Sequence, residues 1–91
     1  MLEDDPGYVL TPHARFQMQR RGIDEEIVHR VMTAPEQQFD LRPGRAVRQS
    51  RVEMGGRTYL VRVVVDLERT PTEVVTVYRT TKISKYWREE G

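Results

Sequence analysis

The sequence of 91 residues contains no cysteine, only two histidines and no long hydrophobic run. Without cysteine, the chain has no disulfide framework, no thiolate nucleophile and no cysteine zinc site. No apolar stretch approaches the roughly 18 residues of a membrane span, and the acidic start at residues 2–5 lacks the basic and apolar regions of a secretory signal. These absences predict a cytoplasmic protein with no membrane partner.

Recognisable motifs for metal and cofactor chemistry are also missing. His13 and His29 are far apart in sequence, and neither belongs to an HExxH pattern. There is no glycine-rich phosphate loop, no GxSxG elbow, and no serine set against histidine in a nucleophile motif. We therefore expect no metal and no cofactor.

The length and composition favour one domain. At 91 residues, with 37% hydrophobic and 32% charged residues, the chain can close one modest core without disulfides or a metal. We predict a single domain over residues 1–91, with residues 1–7 as a flexible N-terminus.

Two helices are predicted in the first third of the chain. Thr11 can cap free N–H groups and the next residue is proline, so a helix is expected over Pro12–Arg21. Gly22 then provides a left-handed end. Asp24 begins a second helix, which Pro35 terminates because the residue before a proline prefers extended geometry.

The remainder is typical of strands, and its central feature is a hairpin. Gly55-Gly56 predicts a two-residue turn between Arg45–Met54 and Arg57–Asp66, and this register places Val52 opposite Tyr59. One face of the hairpin is then mainly apolar, comprising Val52, Tyr59, Val61, Val63 and Val65. The opposite face carries Arg45, Gln49, Arg51, Glu53, Leu60, Arg62 and Asp66.

The last strand, over residues 73–80, is expected to point Val75 and Val77 inward, which places Tyr78 beside Arg62. The predicted fold is α+β, with two N-terminal helices packed on one face of a mainly antiparallel sheet of about four strands. Trp87 is expected to fold back over the edge of the core.

Positive charge is concentrated in the hairpin, although the formal net charge is only +1. Between residues 42 and 65, six arginines accompany one acidic residue, Glu53. We call the hairpin face that carries Arg45, Arg51 and Arg62 the arginine face. Guanidinium groups match phosphate oxygens and tyrosine rings stack on bases, so RNA is a plausible ligand. The alternative is a row of solvated arginines in a chain where arginine outnumbers lysine 13 to 2.

His13 is a second candidate for chemistry. In the first turn of a helix, the dipole disfavours the imidazolium and leaves a neutral imidazole that can accept a proton. The alternative is that His13 only supports the start of the helix or packs against the nearby strand.

Several motifs together resemble a known group of proteins. They are Thr11-Pro12-His13-Ala14-Arg15, Met18, Arg20-Arg21-Gly22-Ile23, the Gly-Gly hairpin and Thr76-Val77-Tyr78. Across nearly the whole chain, this pattern resembles a family of small bacterial proteins of unknown function, similar in layout to the RelE/ParE toxin superfamily and especially to BrnT.

The resemblance implies a RelE-like fold, with helices on one side of the sheet and an open basic face on the other. RelE-type toxins cleave RNA without metal, using arginine or lysine to stabilise the phosphorane and a base to activate the ribose 2′-OH. ParE-type relatives act on gyrase instead, and the fold does not choose between them. The chain lacks the BrnT-like Ser-Ala-Arg near its last strand and has Tyr78-Arg79-Thr80 there.

The resulting hypothesis is a metal-independent endoribonuclease of a toxin–antitoxin system, with RNA or the ribosome and an acidic antitoxin as partners. Its predicted catalytic residues are His13, Arg62, Tyr78 and Lys82. Its predicted RNA-binding residues are Arg15, Arg45, Arg51, Arg79 and Tyr86. The alternatives are a domain that binds RNA or protein without catalysis, and a structural domain.

Overall fold

The computed structural model describes residues 7–89, which form an α+β fold with a mixed five-stranded sheet. The predicted flexible N-terminus, residues 1–7, lies outside the described residues except for Gly7. The elements are β1 (Tyr8–Leu10), α1 (Pro12–Arg21), α2 (Glu25–Thr33), β2 (Gln37–Arg42), β3 (Arg45–Met54), β4 (Arg57–Asp66), β5 (Thr72–Thr80) and α3 (Ile83–Tyr86). None of the helices within residues 7–89 has the length and hydrophobicity needed to cross a bilayer.

The predicted helix boundaries are confirmed by their caps. The Thr11 hydroxyl accepts a hydrogen bond from the Ala14 amide at 3.1 Å and donates one to the Val74 carbonyl at 3.0 Å, which joins the start of α1 to β5. Gly22 ends α1 with φ of 65°, and the Asp24 carboxylate accepts from an amide in the first turn of α2. Both caps are therefore local consequences of the sequence.

The hairpin prediction is also confirmed. Strands β3 and β4 have the predicted bounds, and Met54 lies opposite Arg57. Gly55 and Gly56 adopt φ of 61° and 82°, the positive values that a two-residue turn of this handedness requires. The turn and the alternation of side chains together decide which residues share each face.

Two details of the predicted sheet need correction. The sheet has five strands in the order β1-β5-β4-β3-β2 rather than about four, because Tyr8–Leu10 pairs in parallel with the start of β5. Val77 is buried as predicted, but Val75 is not an inward residue of a regular strand. Thr76 lies opposite Val64 and Val74 opposite the next residue along β4, so Val75 is the extra residue of a bulge.

The main hydrophobic core lies between the two N-terminal helices and one face of the sheet. Its buried members are Ala14, Met18, Ile23, Val28, Val31, Met32, Ala46, Val52, Val61, Val63, Val65, Val74 and Val77. Arg48 is on this side as well, and its Nη1 donates to the Met32 carbonyl at 2.8 Å, near the end of α2. Arg48 is therefore not part of the arginine face.

The opposite face of the sheet is covered rather than open. Residues 82–88, which we call the C-terminal strap, follow β5 and contact this face from β4 to β2. Val47 and Leu60 point away from the helices, and both are fully buried. The open basic face implied by the resemblance is therefore corrected, and Trp87 folds onto this second face.

Candidate anion-binding site around Arg62

Arg62 is the central side chain of the arginine face. It is only 9% exposed, and its Nε donates a hydrogen bond to Gln49 Oε1 at 2.8 Å, while Nη1 donates to the Tyr78 hydroxyl. The ring of Tyr86 lies over the guanidinium, with its centroid 4.4 Å from Cζ. Tyr78 and Tyr86 contact each other edge to face at 6.4 Å between centroids. The structure thus brings three predicted site residues, Arg62, Tyr78 and Tyr86, into one cluster.

None of the partners of Arg62 within residues 7–89 carries a negative charge. Burying a charged group without a counter-ion is unfavourable, even when its hydrogen bonds are partly satisfied. A guanidinium has five N–H donors, and these two hydrogen bonds leave donors available for a further acceptor. Arg62 is therefore suited to bind an anion with oxygen acceptors, such as a phosphate.

Gln49 and Gln37 are functional candidates that sequence reasoning missed. Gln49 is fully buried, and its amide group donates to Gln37 Oε1 at 2.7 Å and to the Tyr86 carbonyl at 3.2 Å. Gln37 in turn donates to the Arg88 carbonyl at 2.5 Å and accepts from the Arg88 amide at 3.1 Å. The two glutamines link Arg62 to the backbone of the C-terminal strap. A sequence signal was available, because Val47 and Leu60 give this nominally polar face an apolar part that needs a cover.

Three successive strap residues form stacked cation–aromatic pairs with three successive strands. The pairs are Tyr86 with Arg62 of β4 at 4.4 Å, Trp87 with Arg51 of β3 at 4.2 Å, and Arg88 with Phe39 of β2 at 3.6 Å. The C-terminal strap thus runs across the sheet and contacts each strand through a ring and a guanidinium.

Arg51 and Arg45 already have acidic partners. Arg51 donates from Nε and Nη2 to the two carboxylate oxygens of Glu36, each at 3.0 Å. These hydrogen bonds lower the pKa of Glu36 and raise the pKa of Arg51. Arg45 lies 3.9 Å from Asp66 Oδ2. The positive charges of Arg51 and Arg45 are therefore partly neutralised by these carboxylates, whereas the hydrogen-bond partners of Arg62 are neutral.

His13 and Arg15 lie in the helical layer, away from Arg62. They belong to α1, which packs on the sheet face opposite the arginine face. His13 is exposed, with Nε2 3.4 Å from the side-chain nitrogen of Gln17. Arg15 forms a 2.8 Å ion pair with Glu25 and borders a recess of about 510 Å³ between the two helices. The structure does not bring His13 or Arg15 to the Arg62 cluster.

Arg79 is also on the helical side of the sheet, because it lies opposite Val61. Its guanidinium stacks on Tyr59 at 4.4 Å and contacts the sulfur of Met54. Lys82 is exposed at the start of the C-terminal strap. Of the nine predicted residues, the arginine face and its border therefore hold Arg45, Arg51, Arg62, Tyr78, Lys82 and Tyr86.

The cluster can bind and stabilise negative charge and can move a proton through one phenol. Arg62 supplies the positive charge and Tyr78 a hydroxyl in direct hydrogen-bond contact with it. In the part of the chain that the structure describes, no three histidine, aspartate or glutamate side chains are grouped to hold a metal ion.

Comparison with known proteins identifies a family. A model of the family described as domain of unknown function DUF4258 matches residues 10–79, which is most of the chain, so the protein belongs to this family. No curated protein and no solved structure shows a significant match. The match extends from β1 nearly to the end of β5 and includes Arg62 and Tyr78.

Proposed function

We propose that this DUF4258 protein binds RNA through a phosphate group at Arg62 and cleaves it without a metal, as RelE/BrnT-like toxins do. The observation that supports the proposal is the buried guanidinium of Arg62, whose partners within residues 7–89 are all neutral. A phosphodiester would supply the missing negative charge and match the planar array of donors.

The proposed chemistry divides the roles among neighbouring side chains. Arg62 stabilises the charge that develops on the phosphorane oxygens. As the ribose 2′-oxygen attacks phosphorus and the bond to the 5′-oxygen breaks, the Tyr78 hydroxyl, which touches Arg62, accepts the 2′-OH proton and gives its own proton to the departing 5′-oxygen. Tyr86 stacks on a base, and Lys82 assists with the leaving group. His13 has no part in this version of the mechanism, because it lies on the other side of the sheet.

The arrangement of two helices on one face of an antiparallel core supports a RelE-like fold as part of the same proposal. An acidic antitoxin is a further part of the proposal. Arg51, which is exposed, and Arg45, which is half-buried, are the groups that an acidic segment would engage at the rim of the site. There it would compete with Glu36 and Asp66.

Cleavage is tested with end-labelled RNA in EDTA, with and without translating ribosomes. Wild type should give discrete cuts, and Arg62→Ala should lower their rate by about 10²–10³-fold because a charge-stabilising donor is lost. Tyr78→Phe keeps the ring and removes only the hydroxyl, so it should lower the cleavage rate by about 10²-fold or more while RNA affinity changes little. Arg57→Ala, an exposed arginine at the hairpin turn, is the matched control. Uncut RNA in every setting would refute the nuclease.

The second candidate is a domain that binds RNA without cutting it. Two observations favour it. Tyr86 covers Arg62, and only one titratable side chain within residues 7–89, that of Tyr78, hydrogen-bonds to Arg62. In that case, RNA binding should weaken with salt at a logarithmic slope of roughly −0.7 per phosphate contacted, and no product should form. Arg62→Ala should make this slope shallower by the contribution of about one phosphate contact.

A further inference from the structure

The C-terminal strap occupies the approach to Arg62. Tyr86 covers the face of the guanidinium, and two of its edges are engaged by Gln49 and Tyr78. Arg62 is only 9% exposed, so the strap in this position leaves a phosphate group little access to the remaining donors. We infer that the C-terminal strap is a built-in cover that closes the Arg62 site in the free protein, and that RNA displaces it from Arg62 and thereby frees Tyr86 and Lys82 to contact the RNA. This inference rests on the proposed function.

The strap is held by three cation–aromatic pairs and three hydrogen bonds to glutamine side chains, and none of its residues is buried. Its helix α3 has four residues, none of them buried, and Lys82 at its start makes no side-chain cap. No strap residue belongs to the helix-side core. The anchoring hydrogen bonds come from Gln37 and Gln49, and each contributes only about 1 kcal/mol net. The strap can therefore leave the sheet as a local opening, without global unfolding.

RNA can replace the contacts that the strap gives up. Tyr86 offers Arg62 a ring, whereas a phosphate offers a full negative charge and two oxygen acceptors. Arg51 loses the ring of Trp87 on opening and can stack on an unpaired base in its place. The strap and the RNA thus bind to the same guanidinium groups, so they cannot bind to them at the same time.

The single tryptophan of the sequence, Trp87, lies on the strap and reports its position. Titration with a short unstructured oligouridylate should shift Trp87 emission to longer wavelength as the ring leaves Arg51. Gln37→Ala removes both side-chain bonds to the Arg88 backbone, so the closed state should weaken and the apparent dissociation constant should fall by up to roughly 30-fold. Gln38→Ala is the control, because Gln38 is exposed and lies on the other face of β2.

A measurement without RNA tests whether the strap shields Arg62, independently of whether the protein binds RNA. Phenylglyoxal modification of Arg62, followed by mass spectrometry, should be faster in Gln37→Ala than in wild type by up to roughly 30-fold, and faster again in Tyr86→Ala. Far-ultraviolet circular dichroism checks that each variant is folded. Equal modification rates in wild type and both variants would overturn the cover.

The two proposals fail in different ways. Faster modification of Arg62 in the variants, with no oligouridylate binding to any of them, supports the cover and refutes RNA as the ligand. Oligouridylate binding that leaves Trp87 emission unchanged and is equally tight in wild type and Gln37→Ala overturns the cover and keeps the RNA function.

Discussion

Truncation of Leu60 tests whether the arginine face is covered in solution. Leu60 is on β4, opposite Arg51 and Thr80, and its side chain points away from the two N-terminal helices. It is nevertheless 0% exposed. On this side of the sheet, the C-terminal strap stacks on Arg51, directly opposite Leu60, and on Arg62, two residues further along β4. The perturbation is Leu60→Ala.

The expected cost differs strongly between a covered and an open face. If Leu60 is fully buried, its replacement by alanine should destabilise the protein by about 2–4 kcal/mol, through lost apolar transfer and a residual cavity. For a domain of this size, that corresponds to a decrease in Tm of very roughly 10–30 °C. If the face were open, as the hairpin pattern alone implied, the cost would be about 0.5 kcal/mol, as for an ordinary surface residue.

The measurement is urea unfolding of wild type and variants, followed by far-ultraviolet circular dichroism, with the m-value checked for constancy. Leu67→Ala is the matched control, because Leu67 is 45% exposed in the turn between β4 and β5. A Leu60→Ala cost no larger than that of Leu67→Ala would show that the strap does not cover this face.

Three further substitutions test contacts elsewhere. Hydrogen bonds from Arg51 lower the pKa of Glu36 in the folded protein. The pair therefore stabilises the fold at pH values above the unfolded glutamate pKa, about 4.3. This stabilisation is lost as the pH falls through the lower pKa of the folded state. Glu36→Gln should therefore destabilise at pH 7 but not at a pH where Glu36 is protonated in both states; a pH-independent difference in urea unfolding contradicts this. Arg48→Met should remove the hydrogen bond to the Met32 carbonyl at the end of α2, at a cost of roughly 1 kcal/mol. Amide exchange in the last turn of α2 should become faster, and an unchanged exchange rate would contradict the prediction. Thr11→Val should cost about 1–2 kcal/mol in thermal unfolding, because two hydrogen bonds are lost, and an unchanged Tm would refute this.

Local chemistry made the helices and the hairpin predictable. The Thr11 and Asp24 caps act on amides within three residues, so the sequence around each cap is sufficient to place it. The Gly55-Gly56 turn fixes the pairing of the two longest strands, and the two-residue period then assigns every side chain to a face.

The parts that could not be predicted depend on partners distant in sequence. A strand as short as Tyr8–Leu10 is defined by its pairing with the start of β5, more than sixty residues later. The bulge at Val75 changes which valines point inward, and nothing in the local pattern marks it. For the site, the sequence grouped His13 with Arg62, but the packing of α1 on the opposite face separates them.

By itself, the sequence determined the two capped helices, the hairpin register and the placement of Arg45, Arg51 and Arg62 on one face, because neighbouring residues and a two-residue period are enough to set them. The tertiary structure decided what that face is. The return of the C-terminal strap across β5, β4, β3 and β2 depends on the joint burial of Val47, Leu60 and Gln49 and on stacking with arginines far away in sequence. Those long-range contacts turn a predicted open arginine surface into a buried, uncompensated Arg62 beneath Tyr86.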